Sequence, residues 1–188
     1  MHRALYEPFL VALADAASAV RVGPATDDFT EMGPLVSEAQ RSRVRDYVAG
    51  AVESGATVVA GGAMTETEGY FHRPTILADT RPDMAVRREE IFGPVATISP
   101  FEGDEFAAVI REANDTDYGL SSYIYTRDLS AAHRTARLIR AGTVRINGAA
   151  LDHTMPFGGY KQSGWGRETG CEGVLSFTEL KTVMIALA

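Results

Sequence analysis

Apolar residues recur at helical spacing from the start of the chain, where Leu5, Phe9, Leu10, Leu13, Ala17 and Val20 predict an amphipathic helix ending near Gly23-Pro24. Asp27 to Pro34 is polar and turn-rich. Ser37-Glu38-Ala39-Gln40 then has the form of a capping box, a hydroxyl and an amide placed to satisfy the first free amides of a helix. That helix is expected to run to about Ser54, to bury Ala39, Val44, Val48 and Val52, and to stop at a left-handed Gly55. Thr57 to Ala60 is short and β-branched, and Gly61-Gly62 closes it, so it reads as a buried strand and a turn. Tyr70 to Leu77 reads as a further strand, with Pro74 marking an edge or an irregularity because proline cannot donate to a ladder.

From Val95 onward the two periods alternate. Val95 to Phe101 is strand-like, Asp104 caps a helix through Asn114 with Phe106, Val109, Ile110 and Ala113 on one side, and Leu120 to Thr126 is an apolar, aromatic strand. Asp128 caps a helix to about Ala141, stopped by Gly142, and Thr143 to Asn147 is a strand again. This order predicts an α/β fold, a mainly parallel sheet with helices on both faces. Gly148 to Gly166 is long, irregular and rich in small residues, the kind of segment that is usually functional when ordered. A short helix follows around Glu168 to Val174, and Lys181 to Ala188 ends the chain as an apolar, β-prone arm. Such a strand, with no partner left in its own chain, is expected to pair with another subunit's sheet edge.

With 188 residues, 45% of them hydrophobic, the chain is long enough for one substantial core. Its net charge of -7, with the basic residues scattered, argues against a nucleic acid or an anionic membrane surface as partner. Met1 to Val20 carries Arg3, Glu7, Pro8 and Asp15 and lacks the order of a signal peptide. The single cysteine, Cys171, forms neither an internal disulfide nor a cysteine-rich zinc site, and a cytoplasmic location is expected.

Two stretches are candidates for chemistry. In Met155 to Glu168 the glycine spacing and Gln162 after Lys161 do not fit a P-loop, so a tight packing turn is the simpler reading, with Phe157 able to project a ring into a cleft. In Arg88-Glu89-Glu90-Ile91-Phe92-Gly93-Pro94-Val95 the adjacent acids point in different directions, so a solvated helix end is the simpler reading. A carboxylate beside a Phe-Gly-Pro bend is also well made to accept sugar hydroxyls while the ring supports a planar group, an alternative that needs a cofactor. Cys171 reads as an inert thiol, and His2, His72, His133 and His153 are too widely spaced to ligate a metal. These residues alone supply no catalytic group.

Taken in order, six motifs resemble the NAD(P)-dependent aldehyde dehydrogenase family over essentially the whole chain. They are Gly33-Pro34-Leu35-Val36; Gly69-Tyr70-Phe71 with Pro74-Thr75; Glu89 to Pro94; Asn114-Asp115-Thr116 with Tyr118-Gly119-Leu120; Gly142-Thr143-Val144 with Asn147; and Pro156-Phe157-Gly158-Gly159 with Lys161, Ser163-Gly164 and Gly166-Arg167-Glu168. The resemblance implies the C-terminal part of a subunit well over twice this length, with residues 1–167 forming a partial catalytic domain and residues 168–188 an oligomerisation arm. It implies oxidation of an aldehyde to a carboxylic acid with NAD or NADP through a thioester on a nucleophilic cysteine. That cysteine, the glutamate base and the oxyanion asparagine have no counterpart here, so no catalytic residue is assigned and the chain alone is expected to be inactive.

Residue by residue, Glu90 resembles the carboxylate that binds the nicotinamide ribose hydroxyls and Phe92 the ring packed beside it. Gln40 and Arg43 fall where family members contact the cofactor. Phe157 resembles the aromatic lining of the substrate site, and Ala149 to Thr154, Leu151 among them, correspond to the variable loop at the tunnel entrance. The implied partners are a small aldehyde, the missing N-terminal half, and another copy through residues 181–188. A reading of a different class is a non-catalytic module that keeps the fold for binding or oligomerisation. Glu90, Phe92 and Phe157 together favour the enzyme, because such a module has no physical need for all three.

Overall fold

In the computed structural model, which describes residues 1–62, 69–103, 106–150 and 152–187, the chain divides into two units, Met1–Phe106 and Ala107–Ala188. Residues 168–187 fall within the second of these units.

The first unit is organised by two helices, α1 (Arg3–Ala19) and α2 (Glu38–Glu53). Ser37 caps α2 by accepting from the Gln40 amide at 3.2 Å, and Gly55 takes the left-handed conformation just past its end, with φ 99°. The buried face of α2 is Val44, Val48 and Ala51, while Ala39 and Val52 are exposed. Helix geometry explains the correction: Ala39 lies about 140° and Val52 about 80° around the axis from Val44. Along α1 only Tyr6 is buried, and Leu5 and Phe9 of the expected apolar face remain exposed.

Three strands, β1 (Thr57–Ala60), β2 (Thr75–Ala78) and β3 (Val95–Thr97), form one sheet with β2 in the centre, and the four-residue helix α3 (Ala85–Arg88) connects β2 to β3. β1 pairs with β2 antiparallel, Thr57 opposite Ala78, and β3 pairs with it in parallel, Thr75 opposite Val95. Pro74 thus precedes a central strand, which begins only where Thr75 can donate to the Pro94 carbonyl, 2.8 Å away. All of β2 is buried, and Leu77, fully inaccessible, packs in a core with Val44, Val48, Ala51, Met84, Val86 and Ile91.

His72 lies just before this strand, 2% exposed, with Nδ1 at 2.8 Å from the Arg73 carbonyl. Burial pushes its pKa below the ordinary histidine value, outweighing the hydrogen bond, which acts in the opposite direction. The unfolded chain therefore binds the proton first as pH falls, so stability is full above about pH 6.5 and declines below it. Urea unfolding is expected to show that decline, and a His72→Phe variant is expected to flatten it.

The second unit contains α4 (Phe106–Asn114), β4 (Tyr118–Gly119), β5 (Ser121–Ile124), α5 (Leu129–Leu138), β6 (Thr143–Ile146), β7 (Tyr160–Lys161) and α6 (Gly170–Leu175), with α4 starting on the last residue of the first. β5–α5–β6 is a βαβ unit, its strands parallel with Ser121 opposite Thr143. Asp128 caps α5 by accepting from the amides of Ser130 and Ala131 at 2.8 and 3.1 Å. α5 ends before the expected Ala141, and Gly142 serves close packing instead of stopping the helix, since a Cβ there would collide with the Gly158 carbonyl. The expected Asp104 cap lies outside the described residues.

Among the described residues the single, mainly parallel sheet is replaced by three small ones, with two parallel and two antiparallel pairings. The chain reverses between β1 and β2, and β7 folds back antiparallel on β4, so alternation of periods along the sequence did not carry the pairing. Residues 181–187 form no strand among the described residues, and Leu180, Met184 and Leu187 are exposed. An apolar, alternating segment becomes a strand only when a neighbouring edge supplies its hydrogen bonds.

Candidate functional site

Within the turn from Glu89 to Pro94, the carbonyls of Glu90, Ile91 and Phe92 have no sheet partner, because β3 starts only at Val95. Side chains from one face of α2 take them instead. Gln40 Nε2 donates to the carbonyls of Ile91 and Phe92 at 2.9 and 2.8 Å, and Arg43 Nη2 donates to that of Glu90 at 3.0 Å. Three successive carbonyls are thus held by two side chains one helical turn apart. The Ser37 amide makes no hydrogen bond to Gln40 Oε1 among the described residues, so only the Ser37 half of the expected capping box is formed. Arg43 also donates to the Tyr47 hydroxyl at 2.8 Å, and that hydroxyl donates to Glu89 Oε2 at 2.6 Å.

Beneath the turn Ile91 is buried in the core, and Gly93 sits so close to Val44 that a Cβ would collide with its side chain. Phe92 takes φ 55°, a left-handed conformation that disfavours an L side chain by about 1–2 kcal/mol. Its ring is 77% exposed. Glu90 is exposed, and its carboxylate has no hydrogen-bond or ion-pair partner among the described residues. An acceptor-only group and a bare ring, two residues apart on a fixed backbone, suit a ligand with vicinal hydroxyls beside a planar ring. A cavity of about 710 Å³ adjoins the turn between α2 and α3, with Arg43, Tyr47, Glu89, Met84 and Val86 in its lining.

Phe92→Gly separates strain from function. Relief of the left-handed penalty exceeds the roughly 0.4–1 kcal/mol that glycine adds to unfolded-state freedom. Urea unfolding is expected to show a gain of up to about 1 kcal/mol, although the exposed ring is lost.

In the second unit Phe157 is half-buried, its backbone exchanging hydrogen bonds with Glu168 at 2.8 and 2.7 Å. Arg167 Nη1 donates to the carbonyls of Gly159 and Gly166 at 3.0 and 2.8 Å, and Lys161 Nζ to those of Asn114 and Thr116, both at 2.8 Å. The glycine-rich stretch is therefore a packed backbone turn whose cations hold main-chain carbonyls. Leu151 lies outside the described residues. Beside it, Asp152 accepts from the Thr154 hydroxyl and amide, which hold its carboxyl below the usual range. Cys171 is exposed on α6, and among the described residues no group of His, Cys, Asp or Glu is placed to hold a metal. No described helix is long and apolar enough to cross a membrane.

Tyr47 is the site residue that sequence reasoning missed. Its signal was present in the spacing Gln40, Arg43, Tyr47 along one polar stripe of a predicted helix.

A family model described as the aldehyde dehydrogenase family matches residues 1–183, from the first residue of the chain onward. The chain belongs to the aldehyde dehydrogenase family. A betaine aldehyde dehydrogenase of Brucella anthropi is 40% identical, the match covering 100% of this chain and 39% of that protein. A mitochondrial aldehyde dehydrogenase of Leishmania tarentolae is 43% identical over 99% of this chain and 37% of its own length. Among solved aldehyde dehydrogenases, an NAD+ complex from Bacillus cereus aligns with a TM-score of 0.93 at 42% identity, over 100% of this chain and 38% of that one. One from Mycobacterium tuberculosis, also complexed with NAD+, aligns with a TM-score of 0.90 at 42% identity, over 98% and 38%. The α/β architecture is thus that of aldehyde dehydrogenases, and the chain spans just under two fifths of the length of these relatives.

Proposed function

We propose that this chain supplies the nicotinamide-ribose contacts and part of the substrate wall of an NAD(P)-dependent aldehyde dehydrogenase, which oxidises an aldehyde to a carboxylic acid. The observation that carries the reading is the turn held by α2, with an unpartnered Glu90 carboxylate beside an exposed Phe92 ring. Glu90 accepts from the ribose hydroxyls, Phe92 packs beside that end of the cofactor, and Gln40 and Arg43 keep both in place. NAD(P)+, when bound, supplies the hydride acceptor. NAD is supported by the solved relatives from Bacillus cereus and Mycobacterium tuberculosis, which are complexed with NAD+. Phe157 is the proposed substrate-facing ring.

Coverage of just under two fifths of the relatives' length supports reading the chain as one part of a longer subunit, with the nucleophilic cysteine and the general base on another segment. Cys171, exposed on α6 and followed by an acidic neighbour, Glu172, is not proposed as that nucleophile. The exposed apolar residues around 180–187 support the arm as a self-association segment. Purified chain mixed with NAD+ and propanal or betaine aldehyde is expected to form no NADH, and to form it once the rest of the subunit is added. NADH formation by the chain alone would contradict the proposed division of labour.

A further inference from the structure

We infer that Tyr47 is a positioning residue that selects Glu90, rather than its neighbour Glu89, as the carboxylate offered to ligand; the inference rests on the ribose-binding reading above. Two acids stand side by side at the turn, and nothing in their residue type distinguishes them. The phenol makes the distinction by donating to Glu89 Oε2 at 2.6 Å, while Glu90 keeps its acceptor oxygens unpartnered among the described residues.

The same phenol oxygen accepts from Arg43 Nη2 at 2.8 Å, and Arg43 lies over the Tyr47 ring, 4.9 Å from its centroid. A guanidinium nitrogen carries two hydrogens in one rigid plane. Placing one on the phenol therefore directs the other, which goes to the Glu90 carbonyl at 3.0 Å. Tyr47 thus fixes Glu89 through its side chain and Glu90 through its backbone, and Gln40 fixes the next two residues. Four consecutive residues, 89–92, are set from one stripe of α2.

Tyr47→Phe keeps the ring and removes the hydroxyl. Nicotinamide mononucleotide, which needs only the ribose end of the site, is the probe, titrated into the full chain and followed by amide resonances. The expected result is affinity lowered about fivefold, with the free variant's resonances of residues 89–92 displaced and those of β1 and β2 unmoved. If Glu90→Gln weakens binding while Tyr47→Phe binds as wild type with residues 89–92 unmoved, the positioning role is overturned and the ribose reading stands. If Glu90→Gln changes nothing, or the wild-type chain binds no mononucleotide, the ribose reading fails and this inference with it. Should Tyr47→Phe also displace β1 and β2, Glu89→Ala decides: weakened binding with the resonances of residues 90–92 displaced supports the role, and unchanged binding, or weakened binding with those resonances unmoved, overturns it.

Discussion

Replacing Gln40 by leucine is expected to weaken nicotinamide mononucleotide binding by tenfold or more while leaving the core of the first unit folded. The side chain donates to two carbonyls, those of Ile91 and Phe92, and leucine leaves both without a donor. Each lost bond removes about 1 kcal/mol, and Phe92 is already disfavoured at φ 55°. The backbone then has both a reason and the freedom to leave the left-handed region, carrying Glu90 and the Phe92 ring away from their shared geometry. Since about 1.4 kcal/mol is a factor of ten, the loss of two bonds covers the expected change. The stability lost in thermal unfolding should not exceed those two bonds, about 2 kcal/mol, because Gln40 is only partly buried and outside the core cluster. A larger loss would show Gln40 to be a core residue and not a clamp.

Leu77→Ala is expected to have the largest effect on stability. Leu77 is inaccessible in the central strand, packed against residues of α2, α3 and the turn itself through Ile91. Removal of its side chain leaves a cavity and is expected to destabilise the first unit by about 2–5 kcal/mol in urea unfolding. That is a large share of the ~5–15 kcal/mol typical of a domain. Val52→Ala on the exposed side of α2, 45% accessible, is expected to stay within about 0.5 kcal/mol. Equal effects at the two positions would contradict the assigned face of α2.

What could be read in advance depended on whether the physics was local. The Ser37 cap, the Gly55 stop, the Asp128 cap and the β5–α5–β6 unit all follow from residues a few positions apart, and each stands where the pattern puts it. Strand pairing is not local, so neither the antiparallel β1–β2 pair nor the return of β7 to β4 was legible from alternating periods. Glu90, Phe92, Gln40 and Arg43 came from resemblance. The bond pattern that joins them did not, because the carbonyls accepting from Gln40 lie 51 and 52 residues further along the chain. The helical spacing put Tyr47 on the same stripe as Gln40 and Arg43, but not its bond, because its partner Glu89 is 42 residues away.

The ribose-binding turn is most directly tested by titrating nicotinamide mononucleotide into the wild-type chain and into Glu90→Gln, following the backbone resonances of residues 89–94. The expected result is saturable displacement centred on Glu90 and Phe92 in the wild type, with affinity about tenfold lower in the variant. Equal affinity for the two proteins, or displacement confined to residues outside the turn, would contradict it.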